Sequence, residues 1–386
     1  MYKPVFSTQL IRNNVSITGH AGDVMAEVLL RELSNADIDW MINAGHRETI
    51  ESDRILVELC KQPDEIHLLL DGTLAIVIPP ADQVSGKLSD LSIGDCGHYE
   101  VMQLSSGEIV GELSLFNLCL MPAVAKAISP SLVLSIPRQQ LVEKLEQDIS
   151  FSSRFYRMIA LMLSERLRRL LEMPGQIQAT TEQAMKEVLF VFSEFRDSDV
   201  DWLVAAGEVK TLSAGSILLQ TGKPVDALHI VLDGLLQISA PEGKYNPLTL
   251  CFECAEKNAK FEKPIATLSK GEVSGAVSFL DFRPHPTTVR AINNSLVLSI
   301  PRQVLSMRLQ QDISFASRFY RVLAIQIANS LQAVMNQLGC SQTIYTQHQE
   351  MDMNVEYDDE LDLDSLHQVS QGAARFNWML KRLGIV

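Results

Sequence analysis

Positive charge and long apolar runs are both scarce in this chain. It has 33 Lys and Arg residues against 47 Asp and Glu residues, which gives a net charge of −14. Binding to nucleic-acid phosphates needs clustered cations, so this balance predicts no nucleic-acid partner. No apolar stretch approaches the roughly 18 residues of a membrane helix, and we expect neither a signal peptide nor membrane insertion. These features predict a cytoplasmic protein.

Residue patterns typical of metal sites and catalytic centres are also missing. The six cysteines are scattered, and Cys251-Phe-Glu-Cys254 is a lone CxxC, whereas a zinc site needs a second pair. Metal or redox use of this pair stays open as an alternative to an incidental loop. The eight histidines form no His-x-x-x-His pattern, and no nucleophile elbow or phosphate loop occurs. The sequence therefore predicts no catalytic residue, no metal ligand and no required cofactor, and it does not indicate an enzyme.

The chain does contain a long internal repeat. Three segments occur twice: residues 131–139 and 295–303, residues 147–157 and 311–321, and residues 37–40 and 199–202. The first pair is identical, and the first two pairs are offset by the same number of positions. The offset of the third pair is shorter by two, so the second copy has gained two residues in a loop. A period of this length fits two whole domains of one fold better than a solenoid.

Each copy has the same order of predicted elements: a helix, several short β-rich runs, a long polar loop, more strands and a long helix. In both copies an Asp-Gly pair, Asp71-Gly72 and Asp233-Gly234, separates two apolar runs. Such a pair predicts a tight hairpin turn. Many short strands with turn signals predict a barrel or jelly roll. The expected fold is mainly β with flanking helices, in two β-barrels that each have an N-terminal helix and a long C-terminal helix.

The repeat also places the domain boundaries. We expect a first domain over 1–173, a linker over 174–183, a second domain over 184–340, an acidic linker over 341–365 and an amphipathic terminal helix over 366–386. Residues 350–364 hold eight acidic residues and no basic one, which predicts a solvated segment. The two long C-terminal helices are expected to pair as an intrachain pseudo-dimer, and a further oligomer is compatible with the sequence.

The terminal helix has two interpretations. It either docks on its own protein or acts as a tethered peptide for a groove on a partner. A protein partner is expected at this helix or at the long loops, residues 79–106 and 241–270, which differ between the copies.

A motif in the first copy carries a family resemblance. Residues 107–116 read Gly-Glu-Ile-Val-Gly-Glu-Leu-Ser-Leu-Phe, and this segment resembles the phosphate-binding cassette of cyclic nucleotide-binding domains. The order of elements over about 25–172 and 185–338 is similar to the catabolite activator and protein kinase A regulatory subunit superfamily. The repeated Ser-Arg-Phe-Tyr-Arg motif and the lack of a DNA-binding domain resemble the cyanobacterial bacteriocin-type transport-associated family. This resemblance implies two cyclic nucleotide-binding-like domains and an association with peptide export.

The resemblance also implies the residues of a ligand site. In the family, a short helix offers its N–H groups to a cyclic phosphate, an Arg pairs with that phosphate, and a Glu accepts from the ribose. The candidate nucleotide site in the first copy is Gly111, Glu112, Leu113 and Ser114. This copy has no Arg between Glu112 and Pro137. The Arg position falls near Met121, and Lys126 is expected to face away from the ligand.

The second copy has lost the other half of the pair. Ala276 stands at the position of the Glu, and the Arg position falls on or near His285. The candidate anion site consists of Arg283, His285, Thr287 and Thr288.

Two functional interpretations follow. If both pockets are degenerate, Met121 and Val124 fill the first one, and Glu112 faces solvent or pairs locally. The protein is then a non-catalytic regulator or adaptor. If the first domain is a cyclic AMP or cyclic GMP sensor, its affinity is weaker than that of an intact cassette, since a charge-assisted pair contributes about 1.5–3 kcal/mol. The repeated Arg154 and Arg157 either form an anion patch or pair with nearby acids such as Asp148.

Overall fold

The computed structural model describes residues 21–58, 61–78, 99–116, 123–172, 192–241, 262–335 and 363–385. The chain divides into two compact units, with the boundary between Leu163 and Ser164, and the helix over 363–382 belongs to the second unit. The boundary therefore falls inside a helix. The expected linker over 174–183 and nearly all of the expected acidic linker over 341–365 lie outside the described residues.

The first copy of the repeat begins with two helices, continues with short strands and ends with two more helices. Its elements are α1 (Ala21–Glu32), α2 (Asn35–Ala44), β1 (His46–Ile50), β2 (Ile55–Val57), β3 (Glu65–Asp71), β4 (Leu74–Ile78), β5 (Tyr99–Leu104), β6 (Ile109–Val110), a 3-10 helix (Glu112–Phe116), β7 (Val124–Ala127), β8 (Ser131–Pro137), α3 (Arg138–Gln147) and α4 (Ile149–Leu171).

Among its described residues the second copy has the same succession of strands, with one opening helix and an α-helix in place of the 3-10 helix, and one more helix follows it. Its elements are α5 (Asp197–Ala206), β9 (Glu208–Leu212), β10 (Ile217–Leu219), β11 (Ala227–Asp233), β12 (Leu236–Pro241), β13 (Glu262–Leu268), β14 (Val273–Ser274), α6 (Ala276–Asp281), β15 (Thr288–Ala291), β16 (Ser295–Pro301), α7 (Arg302–Gln311), α8 (Ile313–Met335) and α9 (Leu363–Arg382).

Each copy folds its strands into two four-stranded antiparallel sheets. The strand orders are β1-β8-β3-β6 and β2-β7-β4-β5 in the first copy, and β9-β16-β11-β14 and β10-β15-β12-β13 in the second. Equivalent strands occupy equivalent places, so the two copies have one topology. The fold is mainly β, with two jelly rolls and flanking helices, as the sequence predicted.

The predicted Asp-Gly hairpins are wrong. Strands β3 and β4 flank Asp71-Gly72, but they lie in different sheets and are not paired with each other. The turn instead carries the chain from one sheet to the other. Gly72 has a φ of +97°, and a Cβ there would lie 2.4 Å from the Ser131 hydroxyl oxygen. Gly234 repeats this arrangement with a φ of +93°. Glycine is therefore needed for the crossing itself.

The buried residues of the second barrel show which face of each strand points inward. Both sheets contribute to one buried apolar cluster, which consists of Leu219, Val225, Val231, Leu236, Leu268, Val289, Ala291 and Val297. Leu298, the neighbour of Val297, faces the other way, because a Cβ on Gly207 at the end of α5 would lie 2.6 Å from its Cδ1. The helices cover that outer face. His229 lies two residues before Val231, and Ser299 two residues after Val297. Because residues two apart on a strand share a face, His229 and Ser299 lie on the inward face.

Equivalent Arg–Asp ion pairs link each long helix to a helix near the start of its copy. The predicted pairing of Arg154 with Asp148 is wrong. Arg154 donates two hydrogen bonds to Asp37, at 2.7 and 2.8 Å, and its counterpart Arg318 does the same to Asp199, at 2.7 and 2.9 Å. Asp148, the expected partner of Arg154, is bonded to Lys144 and to the N–H of Phe151 instead. A structural use of these arginines is consistent with this geometry, since Arg154 links α4 to α2 and Arg318 links α8 to α5.

The terminal helix α9 docks within the second unit. Phe376, Met379 and Leu380 are buried, and the Phe376 ring lies 5.1 Å from that of Phe192. Arg375 donates to Asp197 and to the carbonyl of Ser193. Of the two interpretations of this helix, docking on its own protein is the one present in the structure. Among the described residues, no helix combines the length and apolar character needed to cross a membrane.

Candidate functional site

The first cassette, residues 111–116, turns sharply from β6 into a 3-10 helix. Gly111 has a φ of +88°, and a Cβ there would approach the Glu65 carbonyl oxygen at 3.1 Å. Glu112 begins the helix and is only 4% exposed, so its carboxylate does not face solvent. Leu113 is half-buried. The Ser114 hydroxyl donates to the carbonyl of Gly111 at 2.7 Å, which closes the turn.

Both basic residues over positions 107–138 bond to groups of the protein itself. Lys126 lies on β7 between Ala125 and Ala127, and it is buried, with 3% of its surface exposed. Its ammonium nitrogen lies 3.0 Å from an Asp53 carboxylate oxygen. Arg138, at the start of α3, donates twice to the carbonyl of Ser114, at 3.3 and 3.1 Å. Met121, the position expected for the missing Arg, lies outside the described residues.

The second cassette, residues 275–281, keeps the glycine turn of the first but has no acid, and its helix is an α-helix. Gly275 has a φ of +94° and opens α6. Ala276 replaces the carboxylate and is 8% exposed, so the position stays buried but is apolar. This cassette therefore offers no side-chain acceptor at the place that Glu112 occupies in the first.

The imidazole at the expected Arg position is uncharged. His285 is buried, and its Nδ1 lies 2.7 Å from the carbonyl oxygen of Thr287. Burial lowers the pKa of His285 to about 4, and this outweighs the opposing effect of the Thr287 carbonyl. At neutral pH His285 therefore carries no charge with which to meet an anion.

The structure does not bring the four residues of the candidate anion site together. His285 and Thr287 are neighbours in a buried bend. Arg283 turns to Asp281 at 3.0 Å and to Glu165. Thr288 bonds to Thr221 and Glu262. Each of the four side chains thus has at least one hydrogen-bond partner within the protein itself.

Two arginines from flanking helices hold the second cassette. Arg302, at the start of α7, donates to the carbonyls of Ser278 at 2.7 Å, Phe279 at 3.2 Å and Val225 at 2.9 Å. Arg168, near the end of α4, donates to both carboxylate oxygens of Asp281, at 2.7 and 3.1 Å, and to the carbonyl of Pro284. The sequence analysis missed both roles. The signal available for Arg302 was the unchanged Pro-Arg-Gln of the repeat, since Arg138 contacts Ser114 in the same way.

Sequence reasoning also missed a buried histidine next to each cassette. His67 on β3 lies opposite Val110, and His229 on β11 lies opposite Ser274, each just before the cassette glycine. The Nδ1 atom of each ring lies 2.8 Å from a serine hydroxyl on the next strand, that of Ser135 or Ser299. Burial lowers the pKa of both histidines to about 4. Their equivalent positions in the two copies were the signal that could have found them.

One family model matches part of this chain. Residues 209–312 match the family model of the cyclic nucleotide-binding domain. That match spans β9 to α7 and so includes the whole second cassette. The first copy has the same strand order and the same cassette turn. No curated protein sequence matches the chain significantly.

Solved structures with weak similarity were also found. The regulatory domain of Toxoplasma gondii protein kinase A with cAMP is 13% identical, with 81% of this chain and 95% of that chain covered and a TM-score of 0.27. The regulatory subunit of a cAMP-independent protein kinase A from Trypanosoma cruzi, bound to guanosine, is 16% identical over 81% and 87%, with a TM-score of 0.26. The N-terminal domain of a Streptomyces coelicolor transcriptional regulator is 22% identical over 37% and 93%, with a TM-score of 0.29.

Proposed function

We propose that this protein is a non-catalytic regulator or adaptor, in which two cyclic nucleotide-binding-like domains act through protein contacts and need no bound nucleotide. The observation that carries the proposal is the separation of charges between the cassettes. The first has the buried Glu112 but no guanidinium aimed at a ligand position among its described residues. The second has Ala276 in place of the acid and a neutral His285 in place of the base.

The electrostatics of phosphate burial support this proposal. A cyclic phosphate brings a full negative charge into the barrel, and burying it without a paired cation costs several kcal/mol. The guanidinium groups next to the second cassette already bond to its own carbonyls and to Asp281. A nucleotide would have to displace these bonds before it gained any contact with an arginine.

The partner is proposed to engage the terminal helix. On α9 the indole of Trp378 is 46% exposed although its N–H donates to Asp201. A half-exposed tryptophan beside Lys381 and Arg382 supports recognition of this face by another protein. The resemblance to bacteriocin-type transport-associated proteins supports a partner in a peptide-export system. Pairing of the two domains within the chain, and any oligomer, stay predictions.

One observation favours a second candidate, a cyclic nucleotide sensor that uses the first domain. Glu112 remains buried at the start of its helix, and the Gly111 turn is retained. These features support the candidate nucleotide site at Gly111 and Glu112.

Isothermal titration of the full chain with cyclic AMP and cyclic GMP distinguishes the two candidates. We expect no saturable heat at high micromolar nucleotide. Micromolar binding that disappears in a Glu112→Gln variant would replace our proposal with the sensor. A double variant, Ala276→Glu with His285→Arg, serves as a positive control because it returns both charges to one cassette. Circular dichroism should show first that each variant is folded.

A further inference from the structure

Three metal-binding side chains converge at one edge of the first barrel. His46 and Glu48 lie on β1, and Glu65 lies on β3. One donor atom from each lies within 4.8 Å of the other two, and the Nδ1 of His46 is 3.7 Å from a carboxylate oxygen of Glu65. Strand β8 runs between β1 and β3, with Ser135 paired to His46 on one side and to His67 on the other. The pairing therefore places the three side chains on one face, across one strand.

A second layer of hydrogen bonds orients Glu48. The hydroxyl of Ser135 donates to Glu48 Oε1 at 3.0 Å and also bonds to the Nδ1 of His67 at 2.8 Å. Ser135 is fully buried and His67 nearly so, so this support is rigid. Arg54 donates to the other oxygen of Glu48 at 3.1 Å and offsets part of the negative charge. Carboxylates that bind metal ions are typically held by such outer partners.

The second copy shows that the fold does not require this cluster. The counterparts of His46, Glu48 and Glu65 are Glu208, Lys210 and Ala227. Strands β9, β16 and β11 nevertheless keep the same pairing, with Glu208 opposite Ser299 and Ala227 opposite Pro301. The buried pair of His229 and Ser299 is kept as well. A structural role for the fold accounts for the buried pair, but it leaves the three outer ligands of the first copy unexplained.

We propose that His46, Glu48 and Glu65 bind one divalent transition-metal ion. One imidazole nitrogen and two carboxylate oxygens form a donor set that suits Zn²⁺, whereas Mg²⁺ and Ca²⁺ prefer oxygen ligands alone. Donors around a tetrahedral zinc ion lie about 3.3 Å apart. The His46–Glu65 separation is already close to this value, and His46 and Glu65 are exposed enough to contract by rotamer changes. Three protein ligands leave a fourth position open for water.

Such an ion would join β1 to β3 across β8 in the first unit. Because it binds the folded arrangement of strands and not the unfolded chain, it would stabilise that unit by linkage. The first barrel would thus respond to a cation at a position where the second barrel has Glu208, Lys210 and Ala227 in place of the three ligands.

The test is titration of the full, reduced chain with ZnCl₂ by calorimetry, beside the variants His46→Ala and Glu65→Gln. We expect one equivalent to bind to the wild type, and at least about tenfold weaker binding in each variant. Glu208→Gln is the matched control, because it removes an exposed carboxylate at the His46 position of the second copy, and it should bind as the wild type does. Both ligand variants change exposed or half-exposed side chains, and circular dichroism would verify their fold.

The cysteines are the competing ligands, and cobalt separates the two cases. Co²⁺ bound by thiolates shows an intense sulfur-to-metal charge-transfer band, whereas Co²⁺ bound by nitrogen and oxygen does not. A stoichiometric Co²⁺ complex without that band, lost in Glu65→Gln, would support the proposal. The proposal is overturned if no metal ion binds, if the thiolate band accounts for the binding, or if His46→Ala and Glu65→Gln bind as tightly as the wild type.

Discussion

Three buried histidines, His67, His229 and His285, have strongly lowered pKa values. Each has a pKa of about 4, and burial is the main cause in every case. In an unfolded chain the same imidazoles would titrate near 6.5. Folding therefore holds three imidazoles neutral under conditions in which the unfolded chain would protonate them.

This difference predicts that stability falls on mild acidification. Between about pH 6.5 and pH 4 the unfolded state binds more protons than the folded state, so the free energy of unfolding decreases as pH falls through this window. Each histidine contributes up to about 3.4 kcal/mol to the loss. The steepest dependence should therefore lie between pH 6.5 and pH 4, with little change from pH 7 to pH 8. Urea unfolding followed by circular dichroism at several pH values would measure it.

A His229→Gln variant provides the control for this prediction. It removes one titrating group while keeping a polar side chain next to Ser299, so the slope between pH 6.5 and pH 4 should become shallower. Asp37 acts in a separate window: burial raises its pKa, but hydrogen bonds from Arg154 and Ser34 bring it below the usual value of 3.8. Its contribution is lost only as the pH falls below that value. If the free energy of unfolding changes with pH equally in the wild type and in His229→Gln, the histidines do not cause the pH dependence.

Residue identity alone could locate some of these groups but could not give their charge. The repeat places His285 at the expected Arg position, and that placement follows from the sequence. Its neutrality depends on burial, which outweighs the opposing effect of the Thr287 carbonyl, and the sequence does not reveal that burial. In the same way, Arg154 has an acid nearby in the sequence, Asp148, but it bonds to Asp37, which is 117 residues away. Only the tertiary fold brings that carboxylate close.

At the scale of elements, each cassette is tied to the helix that follows the barrel. Arg302 bridges α7 to the carbonyls of α6, and Arg138 bridges α3 to the 3-10 helix of the first cassette. Bonds from a charged donor to a buried carbonyl contribute about 1.5–3 kcal/mol each. The arginines therefore hold the cassette and the helix as one body in the absence of a ligand.

We predict that Arg302→Met loosens the second cassette without unfolding the barrel. Loss of the bonds to Ser278 and Phe279 should speed hydrogen exchange of the backbone amides of residues 276–282 by about tenfold or more. Methionine keeps most of the apolar contact, so strands β11 and β16 should exchange as in the wild type. Mass spectrometry of peptides from both cassettes would measure the effect.

The repeat supplies the matched variant for this experiment. Arg138→Met should loosen the first cassette, residues 111–116, and leave residues 276–282 protected as in the wild type. If Arg302→Met leaves the exchange of α6 unchanged, or raises exchange throughout the second unit, the arginine is not a local link between the two elements.

Elements also show which parts of the fold local sequence determines. The order of strands and helices follows from local apolar patterns and turn residues, and the structure confirms it. The path between sheets does not follow from them: Asp71-Gly72 predicts a hairpin, but β3 pairs with β6 and β8, and β4 pairs with β5 and β7. β5 lies inside the stretch 79–106 that was expected to be a loop, as its counterpart β13 lies inside 241–270, and the other three partners follow it, so all four are far from the turn in the sequence. The Ser131 hydroxyl that fills the space beside Gly72 is invisible in local sequence.

At the scale of the whole molecule, acidic residues of the second copy bind polar and basic residues of the terminal helix. On α5, Asp197 accepts a hydrogen bond from Arg375 and Asp201 accepts one from Trp378, and Asp201 also forms an ion pair with Arg382. The first copy has Asn35 at the position of Asp197 and Arg31 at the position of Ser193, whose carbonyl also binds Arg375. Helix α9 therefore has a complementary surface on the second copy that the first copy does not reproduce.

We predict that Arg375→Glu weakens the packing of α9 against the rest of the second unit. The change removes a charge-assisted bond to the Ser193 carbonyl and turns the attraction to Asp197 into repulsion, a loss of about 1–3 kcal/mol. Exchange of the amides of residues 367–382 should rise by about fivefold to a hundredfold.

Adding Asp197→Arg should restore part of the protection, because the ion pair returns with its polarity reversed while the carbonyl bond does not. Arg382→Glu, at an exposed contact of 3.3 Å to Asp201, should have a much smaller effect. Equal effects of the two reversals, or no rescue by the double variant, would mean that the apolar contacts of Phe376 and Met379 alone seat the helix.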